Sequence, residues 1–394
     1  MADKQMKPGW HKVKFGDVVR QSKEKADPET SGLERYIAGD HMDTDDLRLR
    51  RWGEIGSGYL GPAFHMRFKP GQVLYGSRRT YLRKVAVADF DGICANTTFV
   101  LEPKNPEEIL PEFLPFLMQT DAFNDFSVKT SKGSVNPYIN FSDLAKFEFA
   151  LPPISEQVQI VSAGKAALKT VVAYEEALQT SLTYQTSLRE QAFFLNVRPT
   201  LLGELIQEIQ AGKSVVGVDE PPSSSDQYAV LKVSAVGKRS FVPVESKTLI
   251  NQTDFISIHS VRAGDILITR ANTPDLVGLA CLVAEGHRNL MLSDKTLRLI
   301  PSQGVPNRLL LEVLRTQAAR QYLKANATGT GGAMKNISQA KLRDMPVKFP
   351  VEESRNECST QLETVESTVN LIEARHAEAK RLARLAINEI MGGI

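Results

Sequence analysis

The stretch Leu151-Pro152-Pro153-Ile154-Ser155-Glu156-Gln157 marks a change in the pattern of the chain. After it the sequence continues to Leu195 without another proline and with a single glycine, Gly164. Paired prolines end a preceding strand, and Ser155 is placed to cap the first amides of a new helix. A helix of this length would span roughly 60 Å at about 1.5 Å per residue, which is too long for a core element of a small domain. We therefore predict a spacer helix here.

A second long helix is predicted at the end of the chain. Its apolar residues recur in steps of three and four with one interruption, which is the seam of a coiled coil. The seam consists of Leu362, Val365, Val369, Ile372, His376, Ala379, Ala383, Ala386 and Ile390. A weaker stripe in the first helix is interrupted by Glu175, Gln185 and Arg189. We expect the two helices to form an intramolecular coiled coil; the alternative is that each lies on a separate core.

Length and composition are those of an ordinary soluble protein. The 394 residues suffice for about two or three domains with their own cores. The three cysteines, Cys94, Cys281 and Cys358, lack metal-ligand spacing and indicate a reducing compartment. No apolar run is long enough to span a bilayer, and residues 1–13 lack the apolar segment of a signal peptide. We expect a cytoplasmic protein that does not enter a membrane.

Charge is distributed unevenly along the chain. Residues 1–150 are balanced, with 21 basic and 21 acidic side chains. Residues 196–350 hold 19 basic and 13 acidic side chains, whereas the two helical stretches have an acidic surplus. A basic surplus of this size suits a polyanionic partner, although it also lies within the range of ordinary soluble domains.

The sequence contains the same series of landmarks twice, in the same order. Residues 15–19 and 202–206 share an apolar-Gly-acidic pattern, and residues 69–75 match 262–268 as a polar turn that feeds a buried strand. Each half then continues with β-rich stretches, one helix (residues 111–126 and 307–324) and a small-residue loop with a lysine (131–134 and 328–335). From Ile139 and Ile337 onward the offset is a constant 198 residues. This order predicts duplicated domain–helix units.

None of the stretches that resemble a catalytic motif is complete. Gly212-Lys213-Ser214 resembles the end of a P-loop, but Gln207 stands where the first glycine is required. Asn136-Pro137-Tyr138 lacks the second proline of the amino-methyltransferase tetrapeptide, and no glycine-rich AdoMet loop precedes it. The six histidines are scattered without ligand spacing, and no nuclease-like carboxylate cluster is present. We predict no catalytic residues and no metal site.

Basic side chains in the predicted loops are the remaining candidates. Arginine can bind guanine bidentately or clamp a phosphate, and glycine- and serine-rich loops bring backbone amides close to phosphate oxygens. For any one of these residues taken alone a solvated surface charge is the favoured interpretation, but as a set that recurs in both halves they favour DNA contact. The candidate DNA-binding residues are Arg48, Arg50, Arg51, Arg78, Arg79, Arg83, Lys132, Lys238, Arg239, Arg270 and Lys335.

With these motifs the chain resembles a specificity subunit of a type I restriction–modification system. The resemblance rests on the strands after residues 69–71 and 262–264, on the Pro-Pro-x-x-Glu-Gln helix start and on the domain–helix–domain–helix order. It covers essentially the whole chain. The second helix start, residues 351–355, departs from the pattern because it lacks one proline and the Glu-Gln pair.

The resemblance implies an α+β fold with two similar mixed α/β target-recognition domains, separated by two long helices that form an antiparallel coiled coil. The implied segments are 1–150 (domain 1), 151–197 (helix 1), 198–350 (domain 2) and 351–394 (helix 2). Each domain would read one half of a bipartite, asymmetric sequence in double-stranded DNA, and the helices would set the gap between the half-sites.

The resemblance also implies partners. Two methyltransferase subunits would dock on the chain and carry AdoMet, motor-nuclease subunits would join for cleavage, and the chain itself would hold no cofactor and catalyse nothing. The implied docking residues are Pro152, Pro153, Glu156 and Gln157. Two alternatives remain open at this point: a coiled-coil scaffold that joins two protein-binding domains, and a fused DNA methyltransferase.

Overall fold

The structure, a computed structural model, describes residues 7–58, 60–329 and 334–391. The chain divides into two compact units. Unit 1 consists of residues up to Glu176 together with residues from Glu373 onward, and unit 2 is Ala177–Ile372. Both units mix α-helices and β-sheets, which confirms the predicted mixed α/β class. The boundaries of the units fall within the two long helices rather than at their ends.

Unit 1 is built on two four-stranded sheets and a two-stranded ladder. Its strands are β1 (His11–Lys14), β2 (Val19–Gln21), β3 (Arg35–Ile37), β4 (Gly53–Glu54), β5 (Phe64–Phe68), β6 (Val73–Gly76), β7 (Val85–Val87), β8 (Gly92–Ala95), β9 (Thr98–Pro103) and β10 (Glu148–Leu151). Its helices are α1 (Phe15–Val18), α2 (Phe113–Gln119), α3 (Asp121–Thr130), α4 (Phe141–Leu144) and the first part of α5 (Ile154–Ala192).

The sheets of unit 1 have the orders β2-β9-β6-β7 and β4-β3-β8-β5. The first is antiparallel throughout, and in the second β3 runs parallel to β8. The ladder pairs β1 with β10, so that His11 lies opposite Leu151 just before α5 begins. The main core contains buried phenylalanines next to this ladder, among them Phe15, which follows β1, and Phe149 of β10.

Unit 2 repeats this plan. Its strands are β11 (Val197–Leu201), β12 (Ile206–Ala211), β13 (Gly217–Val218), β14 (Ala229–Leu231), β15 (Ser246–Leu249), β16 (Ser260–Val261), β17 (Ile266–Thr269), β18 (Ala271–Asn272), β19 (Ala280–Leu282), β20 (His287–Met291), β21 (Thr296–Pro301), β22 (Lys335–Asn336) and β23 (Pro346–Pro350). Its helices are α6 (Asn307–Arg315), α7 (Gln317–Asn326), α8 (Gln339–Arg343) and the first part of α9 (Glu352–Ile390). The sheets are β12-β21-β17-β19 and β13-β15-β14-β20-β16, with β14 parallel to β20.

The turn before the central buried strand is built identically in the two units. Gly71 and Gly264 adopt φ of 86° and 84°, a conformation that favours glycine. The backbone N–H of Lys69 donates to the side chain of Gln72 over 2.8 Å, and that of Arg262 donates to Asp265 over 2.8 Å. The two units thus share this turn at equivalent positions of the sequence.

A second shared feature is the glycine of α1 and of its counterpart at Gly203. A Cβ atom on Gly16 would lie 2.6 Å from the Cβ of Ala145, and one on Gly203 would lie 3.0 Å from the Cβ of Arg343. Side chains are excluded at both positions because the first turn of each domain packs directly against the helix that precedes its last strand. This close approach explains the repeated apolar-Gly-acidic pattern.

The helices predicted at residues 111–126 and 307–324 are each divided into two helices in the structure. Thr120 separates α2 from α3, and Thr316 separates α6 from α7, both with extended backbone at ψ near 150°. Each threonine hydroxyl accepts a hydrogen bond from an amide of the following helix, Phe123 N and Ala319 N. The prediction of single helices is wrong because an apolar pattern carries through a capping threonine without a break.

The first long helix begins two residues earlier than a cap at Ser155 predicts. Ile154 is its first residue, and the amides of Glu156 and Gln157 donate to the carbonyl of Pro153. Ser155 therefore lies inside the first turn, and its predicted role as the cap is wrong. No helix in the described parts of the chain combines the length and apolar character needed to cross a bilayer.

In unit 1 the long helices are covered by an apolar contact. The ring of Phe116 on α2 lies so close to Gly164 that an added Cβ would be 2.6 Å from it. Ala386 and Ile387 of α9 line the same small space together with Ile160. The only glycine of α5 thus marks the place where an aromatic ring meets the helix.

In unit 2 the corresponding contact is ionic. Glu312 on α6 is fully buried, and its carboxylate accepts hydrogen bonds from Arg189 of α5 and, over 3.0 Å, from Arg315. Arg308 lies 2.9 Å from the same carboxylate and also pairs with Glu366 of α9. Arg189, which interrupts the apolar stripe of the first helix, is therefore a partner in a buried network.

We predict that Glu312→Gln lowers the free energy of unfolding by about 3 kcal/mol, because it leaves buried arginines without a counter-charge. Burial alone would raise the pKa of Glu312, but Arg189, Arg315 and Arg308 outweigh it and keep the pKa below its ordinary value. The stabilisation is therefore present above the unfolded-state pKa of about 4.3 and is lost as the pH falls through the lower folded-state pKa. Urea unfolding of the full chain across this pH range measures both effects.

The matched control for this prediction is Glu176→Gln, which changes an exposed glutamate on α5 and should alter stability by less than about 0.5 kcal/mol. Equal effects of the two substitutions at neutral pH would show that the buried network does not stabilise unit 2.

Candidate nucleic-acid interface

Two loops of unit 1 are joined into one strip. The first follows β6 and contains Arg78 and Arg79, and the second connects α3 to α4. The N–H of Arg79 donates to the carbonyl of Pro137 over 2.6 Å, and Lys132 and Tyr138 exchange two backbone hydrogen bonds of 2.8 and 2.9 Å. These bonds fix the positions of the loop ends on the domain.

The strip presents cations beside aromatic and apolar groups. Arg78 and Arg79 are exposed, and neither forms an ion pair within the described part of the chain. The guanidinium of Arg78 lies over the ring of Tyr138, 6.0 Å from its centroid, and Val135 at the tip of the second loop is 85% exposed. Guanidinium groups without a counter-charge can bind phosphates or base edges.

The sequence analysis did not single out Val135 or Tyr138 as contact residues. Their exposure depends on how the second loop is tied back, which local sequence does not encode. Tyr138 belongs to the Asn136-Pro137-Tyr138 motif that was rejected as a methyltransferase signature, and a backbone bridge places it beside Arg78.

The cluster of Arg48, Arg50 and Arg51 is largely neutralised. Arg48 and Arg50 both contact Asp46 and both donate to Glu175 of α5, over 3.0 and 2.6 Å. Arg51 pairs with Asp43. Arg48 and Arg50 attach a loop of unit 1 to its helix through Glu175. Their contact with DNA remains a prediction.

Arg83 is a structural residue, which corrects the prediction that it contacts DNA. Its side chain is 11% exposed and donates to Asp45 over 2.6 Å, to Asp121 over 3.0 Å and to the carbonyl of Gln119 over 2.5 Å. The guanidinium is turned inward because these three acceptors surround it. Lys132, in contrast, is exposed, although its ammonium group lies 2.7 Å from Asp143.

In unit 2 the candidate cations are spread over three loops. Arg270 follows β17 and is exposed, and Lys238 is exposed in a turn closed by the backbone pairing of Val236 with Phe241. Arg239 shares that turn, and its carbonyl accepts a hydrogen bond from Arg315 over 3.0 Å. Lys335 is half-buried and donates to the carbonyl of Gly329 over 3.2 Å. Residues 330–333 of the predicted small-residue loop lie outside the described residues.

The basic positions of the two units are not equivalent, which corrects a detail of the predicted repeat. The carbonyls of Ser77 and Arg270 accept the equivalent hydrogen bonds, from the amides of Ile139 and Ile337. Arg78 therefore corresponds to Ala271, each being the next residue along the chain. The two units share a frame but present different side chains on it.

The residues predicted to dock a partner are used within unit 1. Gln157 is fully buried, donating to the carbonyls of Pro152 and Glu108 over 2.9 Å and accepting from the amide of Leu110. Glu156 accepts a hydrogen bond from the indole of Trp10 over 2.9 Å. Pro152 is also buried, so that Gln157 and Pro152 cannot contact a partner, which corrects their predicted role. Docking through Pro153 and Glu156 stays a prediction.

The second helix start lacks the Glu-Gln pair of the first, and an arginine, Arg355, takes the place of the glutamine. Arg355 occupies the position of Gln157 at the constant offset of 198, and its Nε donates to the carbonyl of Pro350 over 3.2 Å. Pro350 is the counterpart of Pro152, whose carbonyl binds Gln157. The guanidinium of Arg355 also donates to the carbonyl of Gly304 over 2.9 Å. An arginine therefore performs in unit 2 the fastening that a glutamine performs in unit 1.

The described residues contain no group of three or more His, Cys, Asp or Glu side chains that could hold a metal ion. Cys94 and Cys281 are buried, and burial raises the pKa of each thiol to about 12. These cysteines are therefore unreactive core residues.

Comparison with known proteins finds a domain of a known family in the first part of the chain. Residues 8–183 match the family model for the type I restriction modification DNA specificity domain. The resemblance predicted from the sequence is confirmed for this part of the chain.

Two relatives and one solved structure define the extent of the likeness. The chain is 35% identical over 150 residues to the EcoEI specificity subunit of Escherichia coli, and 29% identical over 152 residues to the EcoDI specificity subunit of Escherichia coli. These matches cover 38% and 39% of this chain but only 25% and 33% of the relatives. A chain from a structure that concerns complex assembly and conformational transition of the type I R-M system shares the fold over 99% of both chains, with a TM-score of 0.60 and 22% identity.

We predict that Arg83→Ala lowers the free energy of unfolding by about 2 kcal/mol, because it removes three hydrogen bonds from a charged group and leaves Asp45 without its partner. Arg79→Ala is the matched control, since Arg79 and Arg83 both have a φ of 49° but Arg79 is exposed and only Arg83 is largely covered. The control should change stability by less than about 0.5 kcal/mol. Thermal unfolding of both variants measures the difference, and equal losses would contradict the structural role of Arg83.

Proposed function

We propose that this chain is the DNA sequence-recognition subunit of a type I restriction–modification complex. The observation that carries the proposal is a set of exposed cations, Arg78 and Arg79 in one unit and Arg270 in the other. They have no ion pair within the described residues, and they follow the equivalent central strands β6 and β17. Rigid strand ends with free guanidinium groups suit contact with a polyanion whose bases carry acceptor groups. The match of residues 8–183 to a DNA specificity domain supports the same conclusion.

Each unit would read one half of a bipartite target in double-stranded DNA. Phosphate contacts from arginine and lysine would supply most of the affinity, and a few side chains that reach base edges would supply the choice of sequence. Because the equivalent strand ends carry Arg78 in one unit and Ala271 in the other, the two half-sites should differ. The target is therefore expected to be asymmetric.

The helices α5 and α9, each of 39 residues, would act as an antiparallel coiled-coil spacer between target-recognition domains at 1–150 and 198–350. In such a complex two methyltransferase subunits carry AdoMet and modify adenine, and motor-nuclease subunits join for cleavage. The chain itself would recognise DNA in the cytoplasm without catalysing a reaction.

We predict that Arg78→Ala relaxes the sequence choice at one half-site and Arg270→Ala at the other, with a loss of about 1–3 kcal/mol in discrimination at the contacted base pair. The measurement is selection of bound duplexes from a randomised library by the chain assembled with methyltransferase subunits. Arg20→Ala is a matched control, because Arg20 is exposed, is not a candidate DNA-binding residue and is paired with Glu102 over 2.8 Å. Selection of the wild-type motif by both variants would remove these two loops from the interface.

We also predict that a heptad inserted into both long helices, after Glu176 and after Ile372, lengthens the gap between the half-sites. Seven residues add about 10 Å of helix, which corresponds to roughly three base pairs at about 3.4 Å each. An insertion into α5 alone is the control, because it would put the seams out of register and should abolish specific binding. An unchanged gap after the double insertion would disprove the spacer role.

A further inference from the structure

Unit 2 contains an open cleft of about 710 Å³ that the proposed DNA strips do not include. It lies where the chain enters β14, β16 and β20, and its lining includes Tyr228, Phe255, Arg262, Arg288 and Asn289. No aspartate or glutamate is among the residues that line it. The polar lining consists of hydroxyl, amide and guanidinium groups, which can all donate hydrogen bonds.

The two arginines of the cleft are not neutralised within the described residues. Arg262 and Arg288 are exposed, and neither guanidinium takes part in an ion pair or a hydrogen bond in this part of the chain. The carboxylate nearest to Arg262 in sequence, Asp265, is already used, because it pairs with the buried Arg298 over 2.8 Å and accepts from the backbone amide of Arg262. Two cations therefore converge on one cleft without a counter-charge, which favours an anionic ligand.

An aromatic platform lies beside these cations. The rings of Tyr228 and Phe255 are stacked, with centroids 4.0 Å apart and planes inclined by 16°. Tyr228 is 38% exposed, so that part of the stack faces solvent. Planar bases stack on such rings, and arginine planes support the same geometry. The side-chain amide of Asn289 donates to the carbonyl of Gln227. This bond orients the side chain of Asn289 so that its oxygen can accept a hydrogen bond from a ligand.

Unit 1 shows that this cleft is not a general consequence of the fold. Lys69 occupies the position of Arg262 at the equivalent glycine turn, but its ammonium group pairs with Glu24 over 2.7 Å. The large cleft of unit 1 is lined by four carboxylates, from Asp27, Glu29, Glu34 and Glu54, as well as by Lys25 and Arg35. The cations of that cleft therefore lie among carboxylates, whereas the cleft of unit 2 is lined by arginines without a carboxylate.

We propose that the cleft of unit 2 binds a nucleotide, with its phosphate between Arg262 and Arg288 and its base against Tyr228. The shared chemistry is a planar base joined to a phosphate, and its source is either a nucleotide of a DNA strand or a free nucleotide. The site is separate from the loop of Arg270, so that it can be present or absent whether or not that loop reads the target.

The experiment measures binding of three fluorescent probes to the full chain: a twelve-nucleotide single-stranded oligothymidylate, a duplex of random sequence, and an ATP analogue labelled on its ribose. The wild-type chain should bind at least one of them. The double variant Arg262→Ala/Arg288→Ala should weaken that binding at least tenfold, and Tyr228→Ser should weaken it as well. Lys69→Ala, the equivalent position in unit 1, should change it less than twofold.

The arms of the experiment identify the source of the ligand. A loss confined to the ATP analogue identifies a free nucleotide, and a loss confined to the oligonucleotide or the duplex identifies a nucleotide within DNA. Thermal unfolding of each variant shows that the chain is folded. Wild-type binding of every probe by the double variant, or no binding of any probe by the wild-type chain, would overturn the proposal.

Discussion

The globular part of each unit covers a stripe of side chains on the long helices, and the rest of the structure depends on this contact. In unit 1 the cover is the ring of Phe116 against Gly164. In unit 2 it is Glu312 among arginines of α5 and α6. Phe116 and Glu312 occupy the same place, four residues before the threonines that end α2 and α6. A close apolar contact and a buried charge network thus solve the same packing problem.

The two solutions have different physical consequences. The contact of Phe116 depends on shape and on the absence of a side chain at Gly164, so its strength should vary little with pH or salt. The network of Glu312 places several charges in a poorly solvated site, where loss of one partner leaves the others uncompensated. A fold that is duplicated in outline therefore differs in how each copy is stabilised.

The parts of the fold that follow local rules could be predicted from the sequence. Gly71 and Gly264 require a left-handed backbone, Gly16 and Gly203 permit close packing, and the paired prolines precede a helix of the expected length. These features leave a trace in short stretches of residues because their cause is local. The duplication followed from their order.

The parts that depend on distant partners could not be predicted. Arg189 looked like a fault in an apolar stripe, but its partner Glu312 lies 123 residues away. In the sequence Arg83 is similar to the neighbouring Arg78 and Arg79, but in the structure it pairs with Asp45 and Asp121. Only the backbone hydrogen bonds from Ile139 and Ile337 show that Ala271 is the counterpart of Arg78. In each case spacing in the sequence identified the residue type but not the group that it meets.

The central claim is that this chain selects a split DNA target through two different domains. The most direct test is to express the chain with the methyltransferase subunit of a type I system that assembles with it, and to map methylated adenines across the host DNA. The account predicts a motif of two unlike half-sites separated by a fixed gap, present only when this chain is expressed. An assembled complex that methylates no new sites, or that methylates one continuous palindrome, would contradict it.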